Sequence, residues 1–219
     1  MTQSYYCMSC GAQYPHIEIK SNWFLVRHGE TDWNKGETDK NEIDRVQGSS
    51  DTHLTGHGKM QAKATAELLK DKHIDLIISS DLARARETAE IIAATTGAEL
   101  ILDKSFREMD FGILEGMPIA EVNEKYGGFL DRPYKQLGGE TFEEVEARAM
   151  QALHDHKKDY HNKNIVIVTH GALLGLVMKN IKKLTHAKSS GLKIANAEAI
   201  KLEIGDPCKK CGEDLYENN

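Results

Sequence analysis

The sequence predicts an α/β protein, a three-layer αβα sandwich around a mostly parallel sheet. Three observations predict it. Short β-branched runs alternate with segments of helical period along most of the chain. Two of the runs, Phe24-Leu25-Val26-Arg27-His28-Gly29 and Val166-Ile167-Val168-Thr169-His170-Gly171, each stop at His-Gly. Such a stop reads as a buried strand breaking into a loop. Finally, 219 residues suffice to bury a full core and favour one large domain with small additions.

Taken in order, residues 1–20 read as a small cysteine knuckle with short strands, and residues 23–27 as the first strand of the main sheet. The charged stretch 35–44 is a loop. Leu54-Thr55-Gly56-His57-Gly58 opens a helix running to Leu69, with Thr55 as its N-cap. A strand at 74–79, a helix at 83–95 stopping near Gly97 and a strand at 99–102 follow. A short helix at 119–126 precedes the turn signal Gly127-Gly128. Thr141 and Glu144 form a capping box for the longest helix, which runs to about residue 158. The second His-Gly strand, 165–169, leads into a helix at 172–184, and residues 193–194 and 199–204 are closing strands. There are no internal repeats and no low-complexity segments.

The formal net charge is −6 with no compensating basic block, which argues against a nucleic-acid partner. No early stretch has the pattern of a secretory leader, and no apolar run reaches the roughly 20 residues needed to cross a bilayer. A cytoplasmic location is expected.

The four cysteines form two Cys-x-x-Cys-Gly motifs, Cys7/Cys10 and Cys208/Cys211, at opposite ends of the chain. Glycine after the second thiolate suits the tight turn of a metal knuckle, and two knuckles make a four-thiolate tetrahedral site. Structural zinc is the expected metal, provided the two termini meet in space; a rubredoxin-like iron site uses the same ligands. Separate redox pairs or disulfides are the alternative, disfavoured in a reducing compartment.

Ligands of open α/β sheets bind outside the carboxyl ends of the strands. Two histidines delivered there by two strands, one preceded by Arg27 and followed by Glu30-Thr31, suit phosphoryl chemistry in which one imidazole attacks and the other binds. Several motifs follow in order: Arg27-His28-Gly29-Glu30-Thr31 with Asn34; Arg45-Val46-Gln47-Gly48; Leu54-Thr55-x-x-Gly58-x-x-Gln61-Ala62. Ser79-Ser80-x-Leu82-x-Arg84-Ala85-x-x-Thr88-Ala89 comes next, then Arg107-Glu108 ahead of Phe111-Gly112, Glu115-Gly116, Gly138-Gly139-Glu140 and Thr169-His170-Gly171. In this combination residues 23–204 resemble the histidine phosphatase superfamily, the phosphoglycerate mutase-like fold. The resemblance divides the chain into a knuckle at 1–20, a phosphatase domain at 21–205 and a second knuckle at 206–219.

That resemblance implies a phosphomonoester hydrolase of small metabolites, with His28 the nucleophile and a phosphohistidine intermediate. Arg27, Arg84 and His170 would surround the phosphoryl oxygens, arginine offering a planar pair of donors. Glu108 would give a proton to the leaving oxygen and later take one from water. Asn34, Gln47, Gly48, Thr31 and Gly171 would bind substrate, and no cofactor is needed for catalysis. The spacing between Asn34 and Arg45 is longer than the family's usual one. Asp110 and Glu115 lie close enough in sequence to compete with Glu108, and Arg84 could instead be a solvated helix residue. His53, His57, His154 and His156 receive no role.

Phosphoglycerate mutases of the family carry a longer insertion ahead of the Gly-Gly-Glu segment, with paired arginines. Here residues 109–137 are short and hold a single arginine, Arg132, which favours hydrolysis over mutase chemistry. Specificity is expected from Tyr126, Phe129, Arg132, Tyr134 and Lys135. A non-catalytic zinc-ribbon interaction protein is the alternative from another class.

Overall fold

The structure is a computed structural model that describes residues 5–7, 13–14, 19–37, 39, 41–130, 132–160, 162–181, 194–205 and 215–217, with side chains described between residues 21 and 202. Its elements in chain order are β1 Tyr5–Cys7, β2 Gln13–Tyr14, β3 Ile19–Arg27, α1 Gly56–Leu69, β4 Leu76–Ser79, α2 Ala83–Thr96 and β5 Glu99–Leu102. They continue with α3 Ile119–Tyr126, α4 Phe142–Tyr160, β6 Ile165–Thr169, α5 Gly171–Ile181, β7 Ala199–Gly205 and β8 Leu215–Glu217.

Five strands form the main sheet in the order β5-β4-β6-β3-β7, all parallel except β7, which runs antiparallel to β3. A parallel sheet needs cover on both faces, and the sequence supplies it. Phe24, Val26, Ile77, Val166 and Val168 pack with Ala66 and Leu69 of α1 and Ala85, Ala89 and Ile92 of α2. Trp23, Leu25, Ile78, Ile165 and Ile167 point the other way, onto Val145 and Ala149 of α4 and Leu173, Leu174 and Val177 of α5. Every residue of β6 is buried, each apolar side chain worth about 1.5–3 kcal/mol. That explains why its sequence is a continuous apolar run rather than an alternating one.

The helix starts follow their sequence signals. Thr55 caps α1, its hydroxyl accepting from the Gly58 amide, and Thr141 and Glu144 exchange both bonds of a capping box. Gly97 ends α2 in the left-handed region at φ 74°.

Some boundaries differ from expectation. β3 begins at Ile19 rather than Trp23, because β7 pairs with it from Ile19↔Gly205 to Val26↔Ala199. Ile194 lies outside any strand; its carbonyl turns to Arg27 instead. The 35–44 segment contains one 3-10 turn, Lys35–Glu37. Residues 182–184 and Lys193 fall outside the described residues.

A second, small sheet has the order β2-β1-β8. β1 pairs antiparallel with β8, Tyr5 opposite Glu217 and Cys7 opposite Leu215, so the two ends of the chain meet. Of the four cysteines only Cys7 is described, as backbone; Cys10, Cys208 and Cys211 lie outside the described residues.

Candidate active site

β3 and β6 are neighbours in register, with Arg27 opposite Thr169, so the residues that follow leave the sheet at the same level. The His28 amide donates to the Thr169 carbonyl at 2.9 Å, and the His28 and His170 rings lie 5.2 Å apart between centroids. Both side chains are buried. Gly29 makes this junction possible: a Cβ there would sit 2.5 Å from the Gly58 carbonyl oxygen, where the loop packs on the start of α1.

His28 Nδ1 lies 2.7 Å from the Gly29 carbonyl oxygen. A carbonyl only accepts, so the ring proton sits on Nδ1 and Nε2 keeps its lone pair. Burial holds the imidazole well below its ordinary pKa of 6.5, and the charges of Arg84 and Arg27 push it lower. The ring is therefore neutral and nucleophilic at neutral pH. His170 is depressed likewise, by burial first and then by Arg84 and His28. Its Nε2 is 2.8 Å from Ser80 Oγ, while Nδ1 is buried without a protein partner. A Ser80 hydroxyl that donates to Nε2 leaves the ring proton on Nδ1.

Arg84 is fully buried, not a solvated helix residue. Its Nη1 and Nη2 donate to the carbonyls of Ser50 and Gly48 at 2.7 and 2.6 Å, and its Nε has no partner. Burial brings its pKa down to about 10, opposed by the charges of Glu108, Glu115 and Asp51, so it remains a cation at neutral pH.

Glu108 sits at the amino end of α5, where helix amides lack intrahelical partners. Its Oε1 accepts from the Met109 and Leu173 amides and its Oε2 from Ala172, at 3.0–3.1 Å. Arg148 fastens the backbone here, donating to the Arg107 and Glu108 carbonyls and to Glu140. The Gly-Gly-Glu motif thus braces the Glu108 loop. Of the nearby carboxylates, Glu115 is taken by the Ser49 amide and the hydroxyls of Ser49 and Ser50, and Asp110 Oδ1 caps Gly112. Neither lines the cavity; Glu108 does.

That cavity, about 780 Å³, is walled by Arg27, His28, Asn34, Gln47, Gly48, Arg84, Glu108 and Gly171 among others. Asn34 Oδ1 accepts from the Thr31 amide at 2.7 Å, while its Nδ2 is buried and unpartnered. His170 and Thr31 are not among the lining residues: the His170 ring packs against that of His28, and the Thr31 hydroxyl bonds Asn34 Oδ1 and the Trp33 amide. Of the expected specificity residues, Phe129 and Arg132 line the cavity. The Tyr134 hydroxyl instead donates to the Phe129 carbonyl, and Lys135 pairs with Glu144. The sequence offers no signal for Glu37 on Arg27 or for Arg148, while Ser80 belongs to the Ser-Ser-x-Leu-x-Arg motif with no role of its own assigned. Among the described residues no cluster of His, Cys, Asp or Glu could hold a metal ion, and no helix is long and apolar enough to cross a membrane.

The chain is similar to several known proteins. The chain is 38% identical over 157 residues to the uncharacterized phosphatase PhoE of Bacillus subtilis, covering 72% of this chain and 75% of that one. It is 33% identical over 186 residues to a probable phosphoglycerate mutase, GpmB, of Enterobacter, covering 82% and 83%. Among solved structures it resembles a mycobacterial glucosyl-3-phosphoglycerate phosphatase complexed with VO3, with a TM-score of 0.72 at 29% identity, over 84% of this chain and 93% of that one. The family model for branch 1 of the histidine phosphatases matches residues 23–212, and the chain belongs to the histidine phosphatase superfamily.

Proposed function

We propose that this protein hydrolyses phosphomonoesters of small metabolites through a phosphohistidine on His28. The observation that carries this reading is the His28 ring itself: neutral, its Nδ1 proton held by the Gly29 carbonyl, at a cavity whose wall includes Arg27 and Arg84. Nε2 attacks phosphorus as the bond to the leaving oxygen breaks, and Glu108 gives that oxygen its proton. Water then attacks the phosphohistidine, Glu108 takes its proton, and the P–N bond breaks to release phosphate. Arg27, Arg84 and the Asn34 amide stabilise the charge on the equatorial oxygens, which is the main requirement of phosphoryl transfer. The mycobacterial relative, named for a phosphorylated sugar acid, supports a small metabolite as substrate.

The mutase reading rests on the resemblance to GpmB. Against it, Arg132 is engaged by the Gly127 carbonyl and the Asn123 side chain rather than standing as one of a pair for a carboxylate. Phosphate release from a panel of phosphomonoesters, with isomerisation of 3-phosphoglycerate followed in parallel, separates the two. Hydrolysis without isomerisation is expected; isomerisation as the faster reaction would overturn the phosphatase reading.

Glu108→Gln should slow esters with poor, alkyl leaving groups by about 10²–10⁴-fold, the usual worth of a general acid. It should slow p-nitrophenyl phosphate far less, because that leaving group needs no proton. Equal losses on both would remove Glu108 from the acid role.

We further propose that Cys7, Cys10, Cys208 and Cys211 hold one structural zinc ion. Support comes from the β1–β8 register, which sets Cys7, where the first cysteine motif begins, opposite Leu215, four positions after Cys211 in sequence. Metal analysis should find one zinc per chain. Chelation should lower the thermal midpoint and leave the turnover of the folded protein unchanged; iron in the purified protein would contradict the assignment.

A further inference from the structure

Arg27 is held from one end by a residue that the family motifs do not contain. Its Nη1 and Nη2 donate to Glu37 Oε2 and Oε1 at 2.7 and 2.6 Å, and Nη1 donates again to the Ile194 carbonyl at 2.8 Å. A guanidinium has five N–H groups. The bonds named take both protons of Nη1 and one of Nη2. Nε, although buried, has no hydrogen-bond partner among the described residues. What remains is the side edge, Nε–H with the second Nη2–H, the pair that matches two oxygens of a phosphoryl group.

This edge lies beside the residue that follows His170. A Cβ on Gly171, the residue after His170, would lie 3.5 Å from Arg27 Nε and 3.7 Å from the guanidinium carbon. Glu37 therefore does not cover the edge that phosphate needs; it fixes the opposite end of the fork.

Glu37 is itself well held. Its amide donates to the Asn34 carbonyl, in the turn that carries Asn34, a residue of the cavity wall. The Arg45 amide closes the base of the segment on the Trp33 carbonyl at 2.8 Å. Gly36 is buried so tightly on the Asp44 carboxylate that a Cβ would sit 2.8 Å from it. The long 35–44 segment is thus folded back on itself with Glu37 at its inner end.

We propose that Glu37 is a positioning residue, supplied by the 35–44 segment, that orients Arg27 end-on and presents its Nε–Nη2 edge to the phosphoryl group. The proposal rests on the phosphatase reading above. An arginine free to swing would still carry its charge but would lose the two-point fit, and misplacement of a catalytic group is costly.

The test compares wild type with Glu37→Ala and Glu37→Gln in the full chain, by calorimetric titration with inorganic phosphate and by kcat and KM on the best ester. Glu37→Ala should weaken phosphate binding about tenfold and lower kcat as well, at an unchanged thermal midpoint. Glu37→Gln, which keeps one acceptor, should fall between. In an Arg27→Lys background, which has no fork to orient, Glu37→Ala should cost nothing further. Phosphate binding that is unchanged or tighter in Glu37→Ala would overturn the proposal, the tighter case making Glu37 a competitor for Arg27. A wild type that binds phosphate but hydrolyses no ester would sink the phosphatase reading while the binding data still decide the role of Glu37. A wild type that does not bind phosphate would overturn both.

Discussion

His28→Ala is expected to give a folded protein whose turnover falls by roughly 10⁴-fold or more, as when a covalent nucleophile is removed from a group that works as a unit. The loss should appear in kcat on every ester, because among the described residues that line the cavity no other histidine is found. Stability should change little, since the ring makes one local bond, to its neighbour Gly29. The wild-type pH profile belongs to the same prediction. Burial and two arginines keep His28 neutral well below pH 6.5, so kcat/KM should show no acid limb at that pH. A limb at 6.5 would mean that the nucleophile titrates as an ordinary surface histidine does.

Arg84→Met should damage both stability and chemistry. The guanidinium is the partner of the Gly48 and Ser50 carbonyls, and each carbonyl left unpaired in a buried site costs about 1–3 kcal/mol. A total loss of roughly 2–5 kcal/mol in urea unfolding is expected. Turnover should drop about 10²–10³-fold, the usual cost of removing one donor from a developing oxyanion. The sign of the pH effect separates this from general loosening. Without the Arg84 charge His28 protonates more readily, so the acid limb of kcat/KM moves to higher pH. An acid limb that stayed in place in a folded Arg84→Met protein would show that Arg84 does not act on the nucleophile.

Much of this was legible before any coordinates, for physical reasons. β6 is buried on both faces, and a strand in that position can only be written as an unbroken apolar run, which Ile165 to Val168 are. The helix starts at Thr55 and Thr141 were legible because capping is local, within three residues. The pairing of His28 with His170 followed from two strands ending alike, and the β3–β6 register explains why that inference works. What escaped were contacts between distant segments with no local signature. The Ile194 carbonyl reaches Arg27 across 167 positions, so nothing around residue 194 distinguishes that turn from a strand. Arg148 holds the Glu108 loop from 40 residues away, and on its own helix it looks like any other exposed charge. Glu37 lay in a stretch whose charge density reads as solvated loop; its role comes from a chain reversal that Gly36 permits and its sequence does not announce. Thr31 shows the converse. It matches the motif, and its hydroxyl is bonded within the turn that carries Asn34.

The most direct test of the central claim is to trap the intermediate: mix enzyme with its best ester, quench in alkali within one turnover, and map the phosphoryl group by mass spectrometry. A phosphoryl group on the peptide containing His28, stable to alkali, labile to acid and absent from His28→Ala, is the predicted result. Phosphate released at full rate with His28 unmodified, or the phosphoryl group on another residue, would contradict it.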